Sequence, residues 1–135
     1  MISFFRSLQA FQPDWAALLL RLIFGGFMLT HGYNKLTGFA EMSADFPDPI
    51  GVGPQISLGL TVFAEFFCAL LLVLGVLTRF ASIPLIICML VIAFVIHGPD
   101  PLGDKEHALL FLGGYVAIFF YGPGKFSLGR FVGIP

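Results

Sequence analysis

Charge is what this chain has least of. Lys, Arg, Asp and Glu make up 11% of its 135 residues, while 58% are hydrophobic; an average soluble domain is about 25% charged. So short a chain cannot cover a water-facing surface with so few charges, which leaves the lipid bilayer as the covering for much of it. The net charge of -1 provides no basic surface, so no nucleic-acid partner is expected. Cysteine is scarce too. Cys68 and Cys88 both fall inside apolar runs, too few for a disulfide framework and read as buried free thiols. There is no CxxC, no Gly-rich nucleotide loop and no pair of histidines four apart; no metal site is assigned, because none of the three histidines has the spacing of a compact metal motif. A cleavable leader is not expected either. Only Arg6 precedes the first apolar run, Arg21 interrupts it, and no A-x-A-like site follows; the first segment reads as a retained anchor.

What the chain does have is apolar length. Four runs stand out, Asp14–Leu36, Ile56–Leu77, Arg79–His97 and Lys105–Tyr121, each near the roughly 20 residues of a spanning helix. A barrel would need many alternating strands and a closed edge, so the expected fold is all-α: an antiparallel four-helix transmembrane bundle, a single membrane domain over residues 1–135. Met1–Pro13 carries Phe4, Phe5, Leu8 and Phe11 with Arg6 and Gln9, the pattern of a short amphipathic helix lying on the membrane surface. Asp14 is a suitable N-cap for the first span, and Asp104 for the fourth. Gly38–Phe46 predicts one or two helical turns inside the longest connection, whose prolines and glycines make the rest extended. Lys and Arg divide as Arg6, Arg79, Lys125 and Arg130 at one end, Lys35 and Lys105 at the other. By the positive-inside rule both termini are cytoplasmic, in a multi-pass protein of the cytoplasmic (inner) membrane. Trp15, Tyr33 and Tyr121 suit the interfacial aromatic belts.

The polar residues inside these runs are the functional candidates. Arg21, Gly25, Met28, Gly32 and Lys35 share one helical face with His31 beside them, and Thr61, Glu65, Cys68 and Leu72 line up on the second span. Gly25 and Gly32 would allow close backbone approach. An intramembrane arginine costs about 2.5–3.5 kcal/mol on insertion scales, and Glu65 is the one acid well inside another run. Arg21–Glu65 is therefore the expected pair, either fixing helix register or marking a ligand path. His31, Lys35, His97 and His107 fall at one level near the far end, with Asp104 and Glu106. The expected site is a polar pocket of Arg21, His31, Lys35, Glu65, His97 and His107, opening outward.

The run Leu20-Arg21-Leu22-Ile23-Phe24-Gly25-Gly26, followed by His31-Gly32-Tyr33-Asn34-Lys35-Leu36, resembles the opening of the DoxX family of small four-span membrane proteins. Ala64-Glu65-Phe66-Phe67, Thr78-Arg79-Phe80-Ala81 and His97-Gly98 continue the likeness over roughly Leu18 to Tyr121. The resemblance implies a cytoplasmic-membrane bundle with a link to redox chemistry, since the family is named for its similarity to the small subunit of a thiosulfate:quinone oxidoreductase. Arg21, His31, Lys35 and Glu65 carry over as the family's polar motif residues.

Three functions follow. The first is a quinone-interacting subunit of a membrane oxidoreductase, working with a membrane or periplasmic redox partner and not a complete enzyme alone. His31 and Lys35 would donate to the head group and Glu65 would relay protons. The second is a non-catalytic scaffold or assembly partner. The third is a small transporter or proton path, for which four spans would need a homodimer.

Overall fold

Each apolar run becomes a helix, because a backbone in hydrocarbon must satisfy its own hydrogen bonds. A computed structural model describes residues 1–9 and 13–135. In chain order the helices are α1 (Ile2–Gln9), α2 (Pro13–Thr37), α3 (Phe39–Met42), α4 (Pro54–Leu74), α5 (Thr78–Ile96), α6 (Leu102–Tyr121) and α7 (Leu128–Val132). No strand occurs among the described residues. Phe4 and Phe5 of α1 are exposed, as an interfacial helix requires; Phe11 lies outside the described residues. The single turn of α3 matches the helical turns expected in the long connection.

Three helices, α2, α4 and α5, are long and apolar enough to cross a membrane. The expected fourth span is a 20-residue helix, but its first turns hold Asp104, Lys105 and Glu106. Its apolar part, from Ala108 onward, is thus shorter than the roughly 20 residues of a full crossing.

Small residues set how closely the helices approach. At Gly32 a Cβ would overlap the backbone of Glu65 and Phe66, and at Gly25 it would press on the Ala69 carbonyl and Leu72. The α2–α4 contact predicted from these glycines is therefore real. The core between α4, α5 and α6 is built from Leu72, Ala81, Leu85, Met89, Tyr115 and Ile118, all buried. Tyr115 donates to the Phe24 carbonyl at 3.0 Å, tying α6 to α2.

Neither predicted carboxylate cap forms. Asp14 Oδ1 accepts from the Lys125 amide at 2.9 Å, because the C-terminal segment folds back across the start of α2. The N-cap position of α6 falls to Pro101, with Asp104 already inside the helix. The tail docks on the turn between α4 and α5: the Gly129 amide donates to the Gly75 carbonyl at 3.2 Å and the Leu77 amide to the Pro135 carbonyl.

Candidate functional site

α2, α4 and α5 each contain one wider, π-type turn, at Arg21–Gly25, Phe63–Cys68 and Ile92–Ile96. Such turns concentrate at functional sites, since they displace a side chain and loosen the carbonyl ladder. Arg21 and Glu65 sit in two of them.

The two do not pair. Arg21 is 1% exposed, and its Nη1 donates to the carbonyls of Leu72 at 3.2 Å and Val73 at 3.0 Å, while Nη2 donates to the Phe126 carbonyl. Its Nε has no partner among the described residues. Gly75, in the left-handed conformation at φ +72°, leaves the space the guanidinium occupies. The cause of the misassignment is helix offset. Gly32 abuts Glu65, and eleven residues separate Gly32 from Arg21, about 16 Å along the axis. The second span begins well beyond the level where the first ends, so Glu65 comes opposite Gly32 and Arg21 reaches the C-terminal end of α4.

Glu65, 3% exposed, takes Lys35 instead. Lys35 Nζ donates to Glu65 Oε2 at 2.6 Å. The other oxygen, Oε1, is 4.0 Å from the thiol of Cys88 on α5. Two cavities meet on this pair.

The first is polar, about 180 Å³, with His31 and Lys35 from α2, Glu65 from α4, and Asp104 and His107 from α6 on its walls, and His97 at the end of α5. The rings of His31 and His107 meet edge to face, centroids 5.6 Å apart. His97 Nδ1 is 2.9 Å from Asp100 Oδ2. Five of the six predicted site residues are thus brought together and Arg21 is left out. Glu106, placed at the same level by the sequence, is exposed and lines neither cavity. Among the described residues no group of three or more His, Cys, Asp or Glu is arranged to hold a metal.

The second cavity went unseen in the sequence. It is a cleft of about 370 Å³ between α4 and α5, roofed by Phe46, Pro47, Pro49 and Ile50. Leu60, Ile87 and Ile96 line its apolar walls, and Lys35, Glu65, Thr61 and Cys88 form its polar end. Composition cannot separate an apolar side chain facing lipid from one facing such a cleft. The roof is fixed by Asp48, whose carboxylate accepts from the Val52 and Gly53 amides, each at 2.9 Å, and from Ser57 Oγ at 2.8 Å.

The Ser57 hydroxyl and these amides favour the Asp48 carboxylate and hold its pKa below the ordinary value, outweighing a smaller opposing desolvation. A depressed folded pKa means the clamp is fully in place above the ordinary aspartate value of about 3.9 and is lost as pH falls through the lower folded value. Hydrogen exchange of the Val52 and Gly53 amides is expected to be slow at pH 6 and to quicken, after correction for intrinsic rates, on acidification below that range. Asp48→Asn should abolish the pH step; a step that survives it would assign the roof to another group.

A sequence model described as DoxX matches residues 16–98, more than half of the chain. The inner membrane protein YqjF of Escherichia coli is 28% identical over 123 residues, covering 87% of this chain and 92% of that protein. The uncharacterized membrane protein Rv3486 of Mycobacterium tuberculosis is 29% identical over 151 residues, covering 87% and 88%. An uncharacterized protein of Haemophilus influenzae is 28% identical over 133 residues, covering 93% and 88%. No solved structure matches the chain.

Proposed function

This chain belongs to the DoxX family of membrane proteins, and we propose that it is a redox-associated subunit that holds the head group of a quinone, or of an amphiphile of like shape, against the Lys35–Glu65 pair. The observation that carries the reading is the position of that ion pair at the polar end of a 370 Å³ apolar cleft. Small-molecule sites are concave, largely apolar, and carry a few convergent polar groups. The Lys35 ammonium suits a carbonyl oxygen, and the Leu60, Ile87 and Ile96 walls suit a prenyl or acyl tail. When bound, a quinone would supply two-electron, two-proton redox chemistry; the chain supplies the ammonium donor, the carboxylate and the apolar walls.

In this reading α6 completes an antiparallel bundle of four spans. The end bearing Lys35 and Lys105 faces outward, and the end bearing Arg6, Arg79, Lys125 and Arg130 faces the cytoplasm. The inner membrane is its place, as the name of the Escherichia coli relative suggests. Electrons would come from a membrane or periplasmic partner protein.

Binding of a short-chain quinone by protein in nanodiscs tests this. Ile87 is 55% exposed at the cleft mouth, so Ile87→Trp can fill the cleft without disturbing the core. We expect it to weaken binding by about tenfold or more, the size of ~1.4 kcal/mol, while Phe131→Ala, on the exposed tail, leaves it intact. A folded wild-type protein that binds no quinone would overturn the reading and leave the scaffold role standing.

A further inference from the structure

Lys35 and Glu65 are the polar side chains that line both cavities, with Ile92 beside them. The pair is therefore a partition, and a carboxylate that forms a partition can carry protons across it. We infer that Glu65, held by Lys35, is the proton connection between the cleft and the histidine cavity, so that an acidic head group in the cleft exchanges its proton with water at the histidine end of the bundle. The inference rests on the cleft being a ligand site.

The geometry gives Glu65 two different sides. Oε2 is bound to Lys35 Nζ at 2.6 Å, and Oε1 is turned toward Cys88 on the cleft wall, 4.0 Å from its sulfur. The wide turn of α4 at Phe63–Cys68 carries this residue, and the close α2 backbone at Gly32 fixes its position. The groups facing the pair come from every helix packed on it: His31 from α2, Cys88 and His97 from α5, and Asp104, His107 and, more deeply, Tyr115 from α6. His31 and His107 are exposed, and imidazole is the side chain suited to exchange protons with water near neutral pH. The cavity between them and Glu65, about 180 Å³, is polar and has room for several waters at ~30 Å³ each. The rest of the cleft wall is apolar apart from Ser57, Thr61 and Cys88, and Ser57 and Thr61 spend their hydroxyl protons on Asp48 and on the Ser57 carbonyl.

The step balances without an oxidant. An O–H bond of the head group breaks, its proton forms an O–H bond on Glu65, and Lys35 keeps its charge beside the head-group anion. Glu65 then passes the proton through water to His31 or His107, which releases it to the aqueous phase; the return runs in reverse.

An alkylated 2-hydroxy-1,4-naphthoquinone serves as probe, because its acidic hydroxyl changes colour on ionisation. With the probe bound to protein in nanodiscs, a stopped-flow pH jump reads the rate at which the bound hydroxyl titrates. His31→Phe/His107→Phe replaces two exposed rings, and we expect it to slow that rate by about 100-fold, the low end of what a positioned acid–base group contributes, with probe affinity within about threefold of wild type. Glu65→Gln should slow it further. A wild-type rate in the double histidine variant with the probe still bound would overturn the inference and leave the ligand site intact. Failure of the probe to bind wild-type protein would overturn the ligand site and the inference with it.

Discussion

Lys35→Met is expected to destabilise the folded protein by about 3–5 kcal/mol, the cost of removing one partner from a buried ion pair. Glu65 is the reason the effect is large. Its side chain is 4% exposed, against 21% for Lys35, so its carboxylate is left buried without a counter-charge. The double variant Lys35→Met/Glu65→Leu removes both charges and should recover most of the loss, since replacing a whole buried pair by apolar residues is often neutral. Thermal and denaturant unfolding in a mild detergent measures all three. A double variant as unstable as the sum of the singles would mean that Lys35 and Glu65 are not coupled, and would remove the partition on which both cavities depend. The same cycle run on Arg21 and Glu65 is expected to give a coupling within about 0.5 kcal/mol of zero, as for residues that share no partner.

How much of this was legible in the sequence depends on which property decided each feature. Periodicity decided the shared face of Gly25, Gly32 and Lys35, and the structure puts those glycines against α4 as expected. Position at the ends of apolar runs decided the level of His31, His97 and His107, and they line one cavity. The Arg21–Glu65 pairing depended on the offset between two helices, which is set by where the Thr37–Gln55 connection lets α4 begin. No local pattern encodes that offset. The roof over the cleft was closer to legible. Asp48, four residues before Val52 and followed by Gly51 and Gly53, is a side chain placed to accept from turn amides. The cleft beneath it left no trace, because Leu60 and Ile87 would look the same facing lipid. The fourth run shows the opposite limit: its helix forms, but the charges at its start keep it from the composition of the other three.

Arg21→Met is the substitution expected to act on the other end of the molecule. A buried arginine without a carboxylate needs another source of negative potential, and here it is the C-terminal end of α4. The last carbonyls of a helix have no intrahelical partner and carry the negative end of its dipole. Arg21 supplies Leu72 and Val73 with donors and spans to Phe126 in the tail. Methionine fills much of the volume but donates nothing. The Leu72 carbonyl keeps the Gly75 amide at 3.1 Å, but those of Val73 and Phe126 lose the arginine, and each carbonyl left buried and unpaired costs about 1–3 kcal/mol, partly recovered as the α4 end relaxes, so a net loss of about 3 kcal/mol is expected. The tail should loosen with it, because the Phe126 anchor is gone while the Gly129–Gly75 and Lys125–Asp14 contacts remain. Hydrogen exchange is therefore expected to rise over residues 125–134 and not at Val52 or Gly53. Arg21→Lys should recover only part of the stability, since an ammonium cannot reproduce the planar fork that reaches two elements at once. If Arg21→Met left the tail as protected as in the wild type, the arginine would not be the clasp between α4 and the tail. Its burial would then need the carboxylate partner that the geometry does not give it.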